Sequence, residues 1–426
     1  MSEESRFKGP VVQDIDTTGL DVLYKVDFNV SFKEEKGILV VDDASRIIAI
    51  EKTLNYFKEH PPKRLIFISH LGKPKKELKK GKPKEQVRKE LSLGPVAIYL
   101  TGMLGGKVTF VEDFHKEKIP GSGWIMLNNM RFDPREEEKD LKKREAYAKE
   151  LCDLIDSKGV IVYDAFGAAH REHASSYDIM KYKKGKSYAG FLMQDEIKQL
   201  LPFTRPPEGA VAILAGAKIE DKIAHVRGFL EKGYTVLIGG GMAFTFYKAL
   251  KKETGKSIVN PDMVKECEGL LSQYKKKLVL PPDAVITMIT AKDKEGNDKK
   301  PNKLKKGDYT EPEPVDYDQI KPGYIGLDIE KKTIAEFQKI IAAATMVYWN
   351  GPVGVFEVPD FEAGTRAIGK AVEASTARKI AGGGETLTAI AKYGLKMPTS
   401  TGGGASSDFV VNGDLPGYKA LRGEFK

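Results

Sequence analysis

The feature that most constrains the fold is an alternation. Short runs of β-branched, aliphatic and aromatic residues, apolar along their whole length, recur between longer stretches with helical spacing. They lie at Val22–Phe28, Arg64–Ser69, Trp124–Leu127 and Val160–Asp164, and again at Ala210–Leu214, Thr235–Ile238, Thr345–Asn350 and Ala377–Ala381. Strands apolar on both faces must be covered on both, and strands alternating with helices pair in parallel, so the pattern predicts doubly wound α/β sheets. With 426 residues, more than one hydrophobic core fills, two successive domains of roughly 200 residues are expected. The break is placed at the amphipathic FLMQDEIKQL, followed by the proline-rich LPFTRPPEG, where a linking helix is expected. That gives domains 1–190 and 191–407. Residues 291–323, polar and lysine-rich, read as an extended surface excursion of the second domain. No sequence-level repeat is evident.

The formal charge of +9 reports attraction to anions, not fold. Much of the lysine excess lies in Lys73–Lys89 and Lys292–Lys306, which read as solvated faces, and no aromatic-interleaved basic stripe points to nucleic acid. Cys152 and Cys267 stand apart from any metal-ligand or disulfide spacing and are expected to be free buried thiols. The polar start MSEESRFKG and the lack of an ~18-residue apolar run argue against a signal peptide and a membrane span, so a cytoplasmic protein is expected.

In open α/β sheets ligands bind beyond the carboxyl ends of the strands. There the two halves differ. The first offers Asp27, Asn29, His70, Arg131 and the pair His170 and Arg171, with Arg46 also read as a strand-end position. Arginine forks match carboxylate and phosphate oxygens bidentately, so Arg46, Arg131 and Arg171 suit a small polyanion. One such arginine alone is more often a surface ion pair. The second half offers three triple-glycine runs, Gly239–Gly241, Gly382–Gly384 and Gly402–Gly404, each leading into a helix-compatible segment, plus Gly216, Ala217 and Lys218 after another strand. Glycine backbones approach anions closely and helix N-termini add unpaired donors, which favours a multi-phosphate ligand. Lys218 and Lys222 are expected on one helix face, within joint reach of phosphate oxygens. The two GKS tripeptides are not P-loops, because Met180 and Leu250 stand where the leading glycine belongs.

The stretches KVDFNVS, ISHLGKP, NNMRFDPREEE, DAFGAAHREHAS, ILAGAKIEDKI, IGGGMAFTF, YWNGPVGVFE, AGGGETLTA and STGGGAS occur in this order along the chain, and together they resemble phosphoglycerate kinases. The resemblance implies two Rossmann-like domains separated by a cleft, a hinge helix, residues 408–426 packing back on the first domain, and domain closure. It implies phosphoryl transfer between ATP, carried as its magnesium complex, and the carboxylate of 3-phosphoglycerate, by a monomer. It assigns Asp27, Phe28, Asn29, Arg46, His70, Gly72, Lys73, Arg131, His170 and Arg171 to the acid. To the nucleotide it assigns Gly216, Ala217, Lys218, Lys222, Gly240, Gly241, Phe244, Gly326, Asn350, Gly351, Val353, Glu357, Gly384, Glu385 and Thr386. Arg46, Lys222, Gly383 and Gly403 fall at the transferring phosphate, and Glu385 beside the metal. His70 is expected to orient substrate and not to act as base, since a carboxylate arrives deprotonated.

Several positions depart from the family's pattern. Lys25 and Lys73 stand for arginines, Ser31 for proline, Ala215 for glycine, Glu330 and Lys331 for Gly-Pro, and Glu385 for aspartate. Glutamate is one methylene longer, and magnesium tolerates little distortion of its octahedron, so altered metal handling is expected. The alternative readings are a divergent paralogue with changed metal, nucleotide or acceptor, and a non-catalytic binding protein. The three arginines argue against a changed acceptor, and Lys222 with Glu357 against a non-catalytic role.

Overall fold

Each half of the chain builds a six-stranded, wholly parallel sheet. The first runs in the order Val108–Val111, Gly123–Leu127, Arg64–Ile68, Asp21–Lys25, Val160–Tyr163, Ser187–Ala189. The second runs Leu278–Val279, Thr235–Gly239, Ala210–Ala215, Met346–Asn350, Arg378–Gly382, Thr399–Ser400. The computed structural model describes residues 7–115 and 118–425. Residues up to Gln199, with those from Asp414 onward, form one compact unit, and Leu200–Gly413 form another.

Helices cover both faces, which is why the central strands are apolar throughout. Every residue of Asp21–Lys25, Val160–Tyr163, Ala210–Ala215 and Met346–Asn350 is buried. Tyr24, Phe57 and Phe67 anchor the first core and Trp349, Phe337 and Ile368 the second. The four strands that sequence pattern does not reveal, Val108–Val111, Ser187–Ala189, Leu278–Val279 and Thr399–Ser400, are the four sheet edges. Edge strands are short and covered by fewer neighbours, so they carry little apolar signal. Both cysteines are free and buried, and burial pushes both thiols up to about 12.

The segment after the first sheet is a helix, Phe191–Leu200. Its N-terminus is held by a buried carboxylate from outside it: Asp164 accepts hydrogen bonds from the Met193 N–H at 2.9 Å, Thr53 Oγ1 at 2.6 Å and Tyr24 Oη at 2.7 Å. Burial pushes Asp164 up to about 6 against these bonds. At Gly190 a Cβ would overlap that carboxylate, so the approach depends on glycine.

Residues 291–323 are not a wholly extended surface excursion. The segment supplies the strand Glu313–Asp316, which with Asp283–Thr287 and Ile325–Asp328 forms a small antiparallel sheet. Its few apolar residues anchor it: Leu304, Tyr317 and Ile320 are buried, Leu304 in a satellite cluster with Leu327, Val358 and Phe361. A hairpin of Phe32–Glu35 and Ile38–Val41 is likewise new.

Candidate active site

In each sheet the first strand lies between neighbours reached by crossovers in opposite directions, which opens a crevice at the carboxyl ends. In the first unit Asp27, two residues past its strand, is buried and pairs with Arg46, and His70 Nε2 stands 3.9 Å from Asp27 Oδ1. Burial opposes ionisation of Asp27, but Arg46, His70, the Asn29 N–H and Lys25 together hold its carboxyl well below the usual carboxylate range. For His70, desolvation together with Arg131, Lys25 and Arg171 outweighs the pull of Asp27, so the ring is neutral at physiological pH.

Gly72 ties the next pieces together. Its N–H donates to Asn29 Oδ1 at 2.8 Å, and its carbonyl accepts from Arg131 Nη1 at 2.6 Å. Arg131 Nε lies 2.7 Å from Glu137 Oε1, an ion pair by distance whose N–H is not aligned for a hydrogen bond. Asn129, buried, accepts from the N–H groups of Leu71 and Arg131 at 3.1 Å each and donates to the Leu71 carbonyl at 2.7 Å. Arg171 Nε donates to His170 Nε2 at 3.0 Å, and the Arg171 charge is felt by both His70 and Arg131. Three arginines, two of them paired with carboxylates, and a neutral imidazole among them suit a small polyanion that also carries a hydroxyl.

In the second unit Lys222 Nζ donates to the Asn350 carbonyl at 3.0 Å and to Asn350 Oδ1, while Asn350 Nδ2 donates to the Gly403 carbonyl at 3.3 Å. The Gly351 N–H donates to Thr386 Oγ1 at 2.8 Å. Desolvation lowers the Lys222 ammonium to about 8, with Glu385 and Asp221 offsetting part of that cost. Gly351 has φ +106, and a Cβ there would overlap the Ala215 carbonyl oxygen and lie 3.1 Å from Lys222 Nζ. A Cβ at Gly240 would stand 2.8 Å from both the N and O of Gly216, so these turns pack backbone against backbone. Two glycine runs lead directly into helices, Gly384–Tyr393 and Gly404–Asn412, with Gly383 and Gly403 at their N-caps. The third leads into Ala243–Ala249. Glu385 lies in the first turn after Gly383. The Glu357 carboxyl is raised, first by desolvation and then by Glu385.

Residues 12–412 match the family model of phosphoglycerate kinase. The chain belongs to the phosphoglycerate kinase family. The curated phosphoglycerate kinase of Thermosipho africanus is 38% identical over 97% of this chain and 98% of its own. That of Limosilactobacillus reuteri is 38% identical over 96% and 98%. Among solved structures, phosphoglycerate kinases of Pyrococcus horikoshii (TM-score 0.78, 28% identity, covering 97% of this chain and 100% of that one) and Coxiella burnetii (TM-score 0.73, 29%, covering 98% and 100%) superpose along its length. The activity is that of the family, phosphoryl transfer to and from a carboxyl acceptor, and nothing in the comparisons favours the alternative readings.

Against this family background, one expectation changes. Lys218 and Lys222 do not share a helix face: the helix begins at Ile223, with Lys222 as its N-cap and Lys218 exposed on the preceding turn. Gly216, at φ +147, redirects the chain before the helix can start. Phe28 stands between Asp27 and Asn29 in the chain. Its ring is fully buried in the core, its N–H donates to Ser69 Oγ at 2.8 Å and its carbonyl accepts from Val30. Val353 and Phe244 are also buried, packed where Gly239 and Gly326 leave no room for a Cβ. Gly241 backs onto the Ala217 carbonyl. Lys73 is the exposed N-cap residue of the helix Pro74–Lys79. Ala215 fits because Gly239 beside it has no side chain: a Cβ there would lie 3.1 Å from that of Ala215.

Sequence reading missed Asn129, Glu136, Glu137, Gly167, His173 and Ser175. All six lie inside matched motifs and all but Gly167 are polar, so the signal existed in the motifs but not in any single residue. His173 is pushed down to about 3 by burial, then by Arg131, Arg171 and Lys25. A Cβ at Gly167 would overlap Asp27 Oδ2 and lie 3.4 Å from Arg46 Nη1.

Proposed function

We propose that Asp27, Asn29, Arg46, His70, Arg131, His170 and Arg171 hold 3-phosphoglycerate, and that Lys222, Asn350, Thr386 and the glycine turns hold the phosphates of ATP. The observation that carries the reading is Lys222, a desolvated ammonium at the switch point of the second sheet, beside Gly351 and the Asn350–Gly403 link. Phosphoryl transfer needs positioning and charge neutralisation, with no side-chain nucleophile. Asp27 fixes Arg46, Asn29 and Gly72 fix Arg131, and neutral His70 orients the acid without competing for its charge. The substrate carboxylate oxygen attacks the γ-phosphorus as the bond from that phosphorus to the bridging oxygen breaks and ADP leaves; Lys222 and the backbone N–H groups at Gly383 and Gly403 stabilise the spread negative charge on the phosphates, and Arg46 that on the acid.

Magnesium fits this donor set as a cation carried by the nucleotide. Among the described residues no group of three or more His, Cys, Asp or Glu could hold a metal by itself, whereas Glu385 and Glu357 stand close enough for one carboxylate to raise the other. Magnesium is commonly held by one or two carboxylates plus phosphates, and it would neutralise phosphate charge there. Glu385→Asp is expected to change the ratio of magnesium- to manganese-supported activity several-fold, and an unchanged ratio removes Glu385 from the metal-nucleotide.

The experiment that tests the function is a coupled assay with 3-phosphoglycerate, ATP and magnesium, in which turnover of roughly 1–10³ s⁻¹ is expected. Folded protein without turnover overturns the reading. Gly167→Ala, which drives a methyl group against Asp27, is expected to raise the KM for 3-phosphoglycerate roughly 10-fold or more with the KM for ATP unchanged. No helix among the described residues is long and apolar enough to cross a membrane. A cytoplasmic monomer accords with this activity, and light scattering after size exclusion checks the monomer.

A further inference from the structure

Lys25 ends the central strand of the first sheet, two residues before Asp27, and its side chain is fully buried. Its Nζ donates to Ser175 Oγ at 2.9 Å. Ser175 in turn donates from Oγ to Glu136 Oε1 at 2.6 Å and from its backbone N–H to Oε2 at 3.0 Å. Glu136 and Ser175 are buried as well, at 1% and 0% exposed. The link therefore joins three segments far apart in sequence, and each supplies a member of the anion site. Lys25 precedes Asp27, Glu136 lies in the 3-10 turn that follows the one carrying Arg131, and Ser175 is the second residue of the π-helical segment Ala174–Asp178 just after Arg171.

We propose that Lys25 is a positioning residue for the acid: through Ser175 and Glu136 it fixes the strand end carrying Asp27 to the segments carrying Arg131 and Arg171. This rests on the assignment of that cluster to 3-phosphoglycerate. An enclosed ammonium cannot touch the ligand. Space-filling alone does not account for it, because a buried ion pair replaced by apolar residues of like volume often leaves a protein as stable or more so. The charges facing Lys25 are Asp27 on its own segment and Glu136 and Arg131 on two successive neighbouring turns, while His70 and His173 also feel its charge. Burial lowers the Lys25 ammonium to about 8, Glu136 and Asp27 raising it and Arg131 lowering it further. His173 titrates far below that, His70 is pushed below its ordinary value, and Tyr163 and Tyr147 are pushed above theirs.

Calorimetric titration of 3-phosphoglycerate, and separately of magnesium-ATP, into wild type, Lys25→Met, Lys25→Arg and Ser175→Ala at pH 7 and pH 9 tests this. Lys25→Met is expected to weaken 3-phosphoglycerate binding about 10-fold at pH 7 and leave ATP within about twofold, with Ser175→Ala a milder copy of the same split. Wild type is expected to lose affinity for the acid at pH 9, and Lys25→Arg, whose guanidinium stays charged, to keep it. Unchanged acid binding in both Lys25→Met and Ser175→Ala overturns the proposal, as does equal weakening toward both ligands or a wild-type alkaline loss in Lys25→Arg. Should Lys25→Met not fold, Ser175→Ala and Lys25→Arg decide. Wild-type protein that binds no 3-phosphoglycerate overturns the site assignment itself, a result distinct from failure of the variants.

Discussion

Lys222→Met is expected to lower kcat for phosphoryl transfer about 10²- to 10³-fold, the usual cost of removing one preorganised donor from developing oxyanion charge. The ammonium now rests on both oxygens of Asn350, and a phosphate oxygen arriving beside Gly351 offers it a more strongly charged acceptor. The fold should survive, because desolvation already disfavours the ammonium and methionine fills similar volume without a charge. Steady-state kinetics with a parallel thermal melt decide the matter: a loss under tenfold in a normally melting variant would move Lys222 away from the transferring phosphate. Its lowered ionisation adds a pH effect of definite sign. The free enzyme holds the ammonium below about 8 and loses it as pH rises through that value. The kcat/KM for ATP should therefore be level near neutrality and fall above pH 8, approaching tenfold per unit. Lys222→Arg, charged throughout, should remove that alkaline fall even where its bulk lowers activity.

Gly351→Ala should be the most damaging single methyl in the second unit. The residue follows the strand Met346–Asn350 at φ +106, and its Cβ would occupy the space of the Ala215 carbonyl oxygen on the adjacent strand. Backbone strain of ~1–3 kcal/mol adds to overpacking of similar size, so a loss of about 3 kcal/mol or more is expected. For a unit of this length that is a fall in Tm of roughly 6–12 °C. Relieving the overlap means parting the ends of Ala210–Ala215 and Met346–Asn350, which moves Asn350 from Lys222 and the Gly351 N–H from Thr386. ATP binding should be lost even below the melting temperature. A melt and an ATP titration identical to wild type would show that the crevice does not depend on this backbone contact.

Much of the site was legible because its chemistry is written in local residue types. Glycines after apolar strands mark places where backbone nears backbone or anion, and Gly240, in a run, and Gly351, outside one, both occupy such places. Arg46 and Arg131 could be picked out because few side chains besides arginine suit a polyanion at strand ends. The burial of the Phe28 ring was not legible, because a motif position says nothing of which way a ring turns. The helix face expected for Lys218 and Lys222 is absent because helical spacing does not extend back across Gly216, where the chain is still turning. Glu385 is set off by its length alone, and the structure adds that its carboxylate bears on both Lys222 and Glu357.

The sequence by itself determined two parallel α/β halves, one rich in arginine and one in glycine, because apolar periodicity and backbone freedom are properties of neighbouring residues. Tertiary structure alone decided the edge strands, which of the two lysines reaches the switch point, and the fate of Lys25. Those outcomes depend on burial and on partners distant in the chain: Ser175 lies 150 residues from Lys25, and Asn350 lies 128 from Lys222. Spacing along a strand or helix carries no information about a group that approaches from so far away, yet that group sets the charge, the orientation and the solvent access of each side chain.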